Sequence, residues 1–114
     1  MVRIKRIYDA PGPADGFRIL VDRLWPRGIK KESARLDLWL KEIAPSDSLR
    51  KWLHADFARW GQFGKKYHDE ITGSEPWLTL QGLASEKKSI TLLYASREIE
   101  KNHALLLQQW LKSP

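Results

Sequence analysis

Apolar residues along the chain fall into two rhythms, one with the period of a strand and one with the period of a helix. "VRIKRIY" (2–8) alternates, with Val2, Ile4 and Arg6 on one side and Ile7 near the end, and reads as a short strand. "DAPGPADG" (9–16) stops it with a dense set of turn formers. "FRILVDRLW" (17–25) is a second strand. Its unbroken Ile19-Leu20-Val21 centre suits a position buried on both faces better than a half-exposed one. "PRGIKKESARL" (26–36) is a polar connection.

Helical spacing follows. In "LDLWLKEIA" (36–44), Leu36, Trp39, Leu40 and Ile43 stand at i, i+3, i+4 and i+7, which predicts a first helix with Asp37 near its start and Pro45 as its stop. Ser46 then caps "DSLRKWLHA" (47–55), where Leu49, Trp52 and Leu53 share a face. Asp56 is placed to cap the next helix, whose stripe is Trp60, Phe63, Tyr67 and Ile71, with Gly61 and Gly64 open to a close neighbour. "SEPWLTLQGLASEK" (74–87) predicts another, with Pro76 in its first turn and Trp77, Leu80 and Ala84 facing inward. "SITLLYA" (89–95) returns to strand, and residues 99–111 form a last helix carrying Ile99, Leu106, Leu107, Trp110 and Leu111. Strands joined through helices to a later apolar strand give the expected fold: α/β, a small single-domain layered structure over 1–114 with a largely parallel sheet flanked by helices.

Composition narrows the chemistry. The 114 residues include six tryptophans and no cysteine, which excludes disulfides, thiolate zinc ligands and cysteine nucleophiles. No signal-peptide pattern and no membrane-length apolar run is present, so a soluble cytoplasmic protein is expected, with no membrane partner. The formal net charge of +6 is uneven: residues 1–31 hold eight Lys/Arg against three Asp, and the remaining 83 hold twelve against eleven Asp/Glu. A basic end of this kind suits an anionic partner. Nucleic acid is one candidate, although no zinc-finger spacing, Gly-x-x-Gly clamp or lysine tail accompanies the charge.

Ligands of open α/β sheets sit beyond the carboxyl ends of the strands. There, "VDRLWPRG" follows the second strand and "YASR" the last. If these strands are parallel neighbours, Arg23, Arg27 and Arg97 converge on an anion, assisted by helix N–H groups around Ile99 and Glu100. Glu98 and Glu100 count against a phosphate at that helix start. Asp22, Tyr94 and His103 are the candidates for proton transfer, and Asp22 is equally suited to a structural role, including a hydrogen bond to Tyr94. Trp25 is a candidate stacking surface for a base, against the plainer use of a core plug. Gly28 suits a tight turn. His54, His68 and His103 fall in three separate helices without metal-ligand spacing, so neither a metal nor a cofactor is expected. Walker A, Gly-x-Gly-x-x-Gly and Gly-x-Ser-x-Gly signatures are all missing.

Three functional classes stay open: an enzyme or binding domain for a phosphorylated or other anionic small molecule, a structural or interaction protein acting as a homodimer, and a nucleic-acid binder. The segments "DGFRILVDRLWPRGIKK", "WLKEIAPSDSLRKWLH", "YHDEI", "TLLYASRE" and "NHALLLQQWL" closely resemble the YeaO-like family, within the broader domain-of-unknown-function family 488. The resemblance covers nearly the whole chain, with "VDRLWPRG" and "IAPS" its most specific segments. It implies a small α/β domain with no established activity. More distant relatives resemble this chain around Asp22, Arg23, Pro26 and Arg27. Their cysteine-containing element after the last strand corresponds to "YASREIEKNHA", which has no cysteine, so thiol chemistry does not carry over.

Overall fold

The computed structural model describes residues 1–112. Strand β1 (Val2–Arg6) leads through a turn of 3-10 helix at Pro13–Asp15 into β2 (Phe17–Leu20). A one-turn helix α1 (Lys31–Ala34), a two-residue strand β3 (Leu38–Trp39) and a 3-10 turn at Lys41–Ile43 follow. Then come α2 (Asp47–Ala55), a 3-10 turn at Phe57–Arg59, α3 (Trp60–Ile71), α4 (Glu75–Glu86), β4 (Ile90–Tyr94) and α5 (His103–Lys112). The four strands form one sheet in the order β1-β4-β2-β3, and every pairing is parallel, so the fold is the expected α/β layer structure.

β4 lies between β1 and β2 and is buried from Ile90 to Tyr94. Ile19, Leu20 and Val21 are also fully buried, as an unbroken apolar run requires when both faces are covered. Alternation sends Ile19, Val21, Ile90, Leu92 and Tyr94 to one face, where Leu49, Leu53, Phe63, Tyr67, Trp77, Leu80, Ala104 and Leu107 from α2–α5 pack on them. Leu20 and Leu93 point to the opposite face, beneath Ile7, Ala34, Trp25 and Trp39. The helices are therefore not shared evenly: α2–α5 cover one face, while α1 and its loops cover the other.

The second face also carries a buried polar staple. The Asp15 carboxylate takes a short ion pair from Arg18, and Lys5 Nζ lies 3.1 Å from its Oδ1. Gly12 N–H donates to Oδ2 at 3.0 Å, and the Thr91 hydroxyl donates to the Asp15 carbonyl at 2.7 Å. Burial pushes the Asp15 carboxyl up, but the hydrogen bonds from Gly12, Lys5 and Arg18 outweigh it and hold the group below its ordinary value. Gly16 follows at φ 64°, with the Ser89 carbonyl oxygen 2.4 Å from where a Cβ would stand. Both its conformation and the space around it demand glycine.

Capping matches the expectation at Ser46, which accepts from Leu49 N–H at 3.2 Å. Asp56 instead accepts from Ala58 N–H at 3.0 Å and caps the 3-10 turn Phe57–Arg59, so that α3 itself starts after Arg59 without a side-chain cap. Two elements differ. Residues 36–44 are not a helix: Leu38 and Trp39 pair with Ile19 and Leu20, and Leu40 N–H donates to the Leu20 carbonyl at 2.9 Å. The free edge of β2 offers this segment ladder hydrogen bonds, and tertiary pairing overrides its helical spacing. The last helix begins at His103, not near residue 99, because Asn102 caps it: its Oδ1 accepts from Leu105 N–H at 2.9 Å. Ile99 is thereby left outside the helix and exposed.

Candidate functional site

The parallel pairing of β2 with β4 sets their carboxyl ends side by side, Leu20 opposite Leu93. The ladder continues one step, with Val21 N–H donating to the Leu93 carbonyl at 3.0 Å. Beyond it Asp22 takes over: its Oδ2 accepts from Ala95 N–H at 2.9 Å, so a side chain joins the two strand ends where backbone pairing stops. This bond replaces the expected one between Asp22 and Tyr94. The Asp22 carbonyl accepts from the Trp39 indole at 2.7 Å, which pins the start of the loop.

His103, at the first position of α5, closes over this junction. Its Nε2 lies 2.9 Å from the Val21 carbonyl and 3.2 Å from Asp22 Oδ1. A carbonyl only accepts, so Nε2 carries a proton and directs it to Val21. Asp22 Oδ1 is left shielded from solvent without a hydrogen-bond partner. An Nε2 that already donates to the backbone has no lone pair to offer as a base. Tyr94 is buried in the helix-side core, away from the cleft lining. Burial raises its phenol, with Arg6 opposing the shift less strongly.

Beyond the strand ends lies a cleft of about 440 Å³, within the size range of small-molecule sites. Its lining includes four permanent cations, Arg23, Arg27, Arg50 and Lys101, and two carboxylates, Asp22 and Asp47. Arg23 is held back from the opening, donating to the Ala44 carbonyl at 3.0 Å. Arg27 is exposed; Pro26 before it is buried, and Gly28 after it turns the chain at φ 75°. Arg97 is exposed in the loop after β4 and does not line the cleft; Lys101 and Asn102 reach it from that loop instead. The N–H groups around Ile99 and Glu100 do not belong to a helix terminus, since α5 starts at His103. Trp25 touches the cleft but is held in place, its indole donating to the Ile29 carbonyl at 2.8 Å and its ring meeting Trp39 edge-on at 5.4 Å.

Part of the lining is apolar and aromatic: Leu53, Phe57, Trp60 and Phe63. Trp60 and Phe63 stack at 5.3 Å with 18° between their planes, and His54 stacks on Phe57 at 5.5 Å and 27°. Asp47, Arg50, His54 and Phe57 were not part of the arginine cluster expected from the strand ends. The helical spacing of Asp47, Arg50 and His54, three and four residues apart, puts one face of α2 against the cleft, with Phe57 following on the adjoining 3-10 turn, and that periodicity is the signal that would have found them. Among the described residues, no group of three or more His, Asp or Glu side chains is arranged to hold a metal, and no helix is long and apolar enough to cross a membrane.

A family model described as an inactive DUF488-N3 subclade matches residues 1–114. The chain is 44% identical over 112 residues to the uncharacterized protein YeaO of Escherichia coli (strain K12), covering 98% of this chain and 97% of that protein. It is 38% identical over 110 residues to the uncharacterized protein Rv3073c of Mycobacterium tuberculosis (strain ATCC 25618 / H37Rv), covering 96% and 92% respectively. No solved structure gives a significant match.

Proposed function

Because the chain belongs to the inactive DUF488-N3 subclade, within the YeaO-like relationship its "VDRLWPRG" and "IAPS" segments imply, we propose that it binds an anionic small molecule in the strand-end cleft without transforming it. The observation that carries this reading is the gathering of Arg23, Arg27, Arg50 and Lys101 around one opening that holds only two carboxylates. Asp22 accepts from Ala95 N–H and Asp47 lies 3.5 Å from Arg50, and with both carboxylates counted against the four cations the lining still keeps an excess of positive charge.

Binding without turnover agrees with the state of the candidate proton-transfer groups. Asp22 ties two strand ends together, His103 Nε2 donates to the backbone, and Tyr94 lies in the core. Arg27 and Arg50 are the exposed guanidiniums, suited to phosphate or carboxylate oxygens. The test is a titration of the whole protein with inorganic phosphate and with sulfate, followed by isothermal calorimetry and by thermal shift. A ligand bound by the native state alone raises apparent stability. Saturable binding that weakens at least about fivefold in Arg27→Ala and in Arg50→Ala supports the reading, a factor equal to about 1 kcal/mol. Equal response of wild type and both variants refutes it.

A further inference from the structure

The cleft is built for more than an inorganic ion. Among the described residues, the large apolar side chains left exposed are Met1, Tyr8, Leu24, Phe57, Leu78 and Ile99, and three of these six stand around this opening. Leu24 is 74% exposed, Tyr8 43% and Phe57 37%. A free phosphate keeps its hydration and has no use for such a rim, whereas a ligand with an apolar body removes it from water. Arg23 and Arg27 stand on the loop after β2, Arg50 on α2 and Lys101 on the loop before α5, while the apolar part of the lining, Leu53, Phe57, Trp60 and Phe63, carries no charge.

We propose, resting on the anion-binding reading above, that the cleft takes an anionic group carried on an aromatic ring. The ring lies against the wall of Leu53, Phe57 and Trp60, and the anion meets Arg27 and Arg50 at the opening. A flat body is favoured over a flexible chain by the wall itself. Its aromatic side chains come as two stacked pairs, Trp60 on Phe63 and His54 on Phe57, and of these the exposed Phe57 and the half-buried Trp60 offer aromatic surface on which a further ring can pack. Guanidinium planes also stack on aromatic faces, so the arginines that hold the anion serve the ring as well. Such aryl anions include aryl phosphates and aryl carboxylates, and both present the same chemistry here.

The experiment compares inorganic phosphate, phenyl phosphate, hexyl phosphate and phenol by calorimetry on the wild-type protein, then benzoate against acetate. Burying one ring face predicts phenyl phosphate at least about tenfold tighter than phosphate, with hexyl phosphate between them and phenol weakest. Phe57→Ala should remove most of that gain while leaving phosphate affinity unchanged. Leu24→Ala, at the most exposed of the three rim positions, gives a second reading if Phe57→Ala unfolds. Phosphate binding with no gain for phenyl phosphate overturns the inference and leaves the anion reading standing. Hexyl phosphate equal to or tighter than phenyl phosphate overturns the aromatic assignment in the same way. Phenol binding as tightly as phenyl phosphate, or no binding by any probe, overturns both. Benzoate over acetate by a similar factor extends the assignment to carboxylates, and a preference confined to phosphates restricts it to phosphoryl groups.

Discussion

Replacing Asp22 with alanine removes the acceptor used by Ala95 N–H at the point where β2 and β4 separate. The bond is charge-assisted and partly buried, and its loss leaves the N–H facing a cavity, at a cost of about 1.5–3 kcal/mol. The 3.2 Å contact with His103 adds little, since that ring already donates to Val21. A loss of about 2 kcal/mol lowers Tm by roughly 8–12 °C in a chain of this size. Arg27→Ala changes an exposed side chain and should stay within about 0.5 kcal/mol of wild type. Asp22→Asn keeps a carbonyl oxygen for Ala95 N–H and should recover at least half of the alanine loss. Urea and thermal unfolding followed by circular dichroism measure all three. The reasoning fails if Asp22→Ala unfolds within about 0.5 kcal/mol of wild type, or if Arg27→Ala falls with it.

Three further outcomes are expected. Gly16→Ala, with its Cβ forced to 2.4 Å from the Ser89 carbonyl at φ 64°, should cost at least about 2 kcal/mol in urea unfolding; a smaller loss means the turn relaxes freely. The Asp15 carboxyl is held below its ordinary value, so its contribution is present above about pH 4 and disappears as pH falls through the lowered folded value. Asp15→Asn should flatten that acid limb of the stability–pH curve and destabilise at neutral pH by about 3 kcal/mol, because Arg18 is left buried without its partner. Tyr67→Phe removes the hydroxyl that donates to the Ile43 carbonyl at 2.6 Å and should cost about 1–2 kcal/mol; an unchanged urea midpoint argues that the carbonyl is satisfied elsewhere.

Periodic segments with a cap at one end were readable in the sequence. Ser46 caps α2 as expected, Asp56 caps the 3-10 turn ahead of α3, and the stripe Phe63, Tyr67, Ile71 is buried. Segment 36–44 was not, because Leu36, Trp39, Leu40 and Ile43 satisfy a helix period while the deciding partner, the edge of β2, lies some twenty residues away. The start of α5 was misplaced since "REIEKN" carries helix-compatible charges, and the cap at Asn102 competes with them only once the chain is folded. In the site, Arg23 and Arg27 follow directly from the end of β2. Arg97 occupies the matching place after β4 but faces solvent, because the loop there runs eight residues before α5 begins and brings Lys101 to the cleft instead. The helical spacing of the aromatic residues reads as core. No local pattern distinguishes a ring packed inward from one that also lines an opening.

The sheet order β1-β4-β2-β3 has a consequence for how the molecule is made. β1 and β2 have no hydrogen bonds to one another and meet only through β4, the last strand to leave the ribosome. Until Ile90–Tyr94 emerge, β1 has no partner in the sheet and β2 has only the two residues of β3. Their closure waits on contacts spanning more than seventy residues, a route that is slow and open to aggregation. Synthesis halted before residue 90 would therefore leave at most the short β2–β3 pair in place of the sheet. The cleft, which needs the ends of both β2 and β4, cannot form until β4 has emerged and paired.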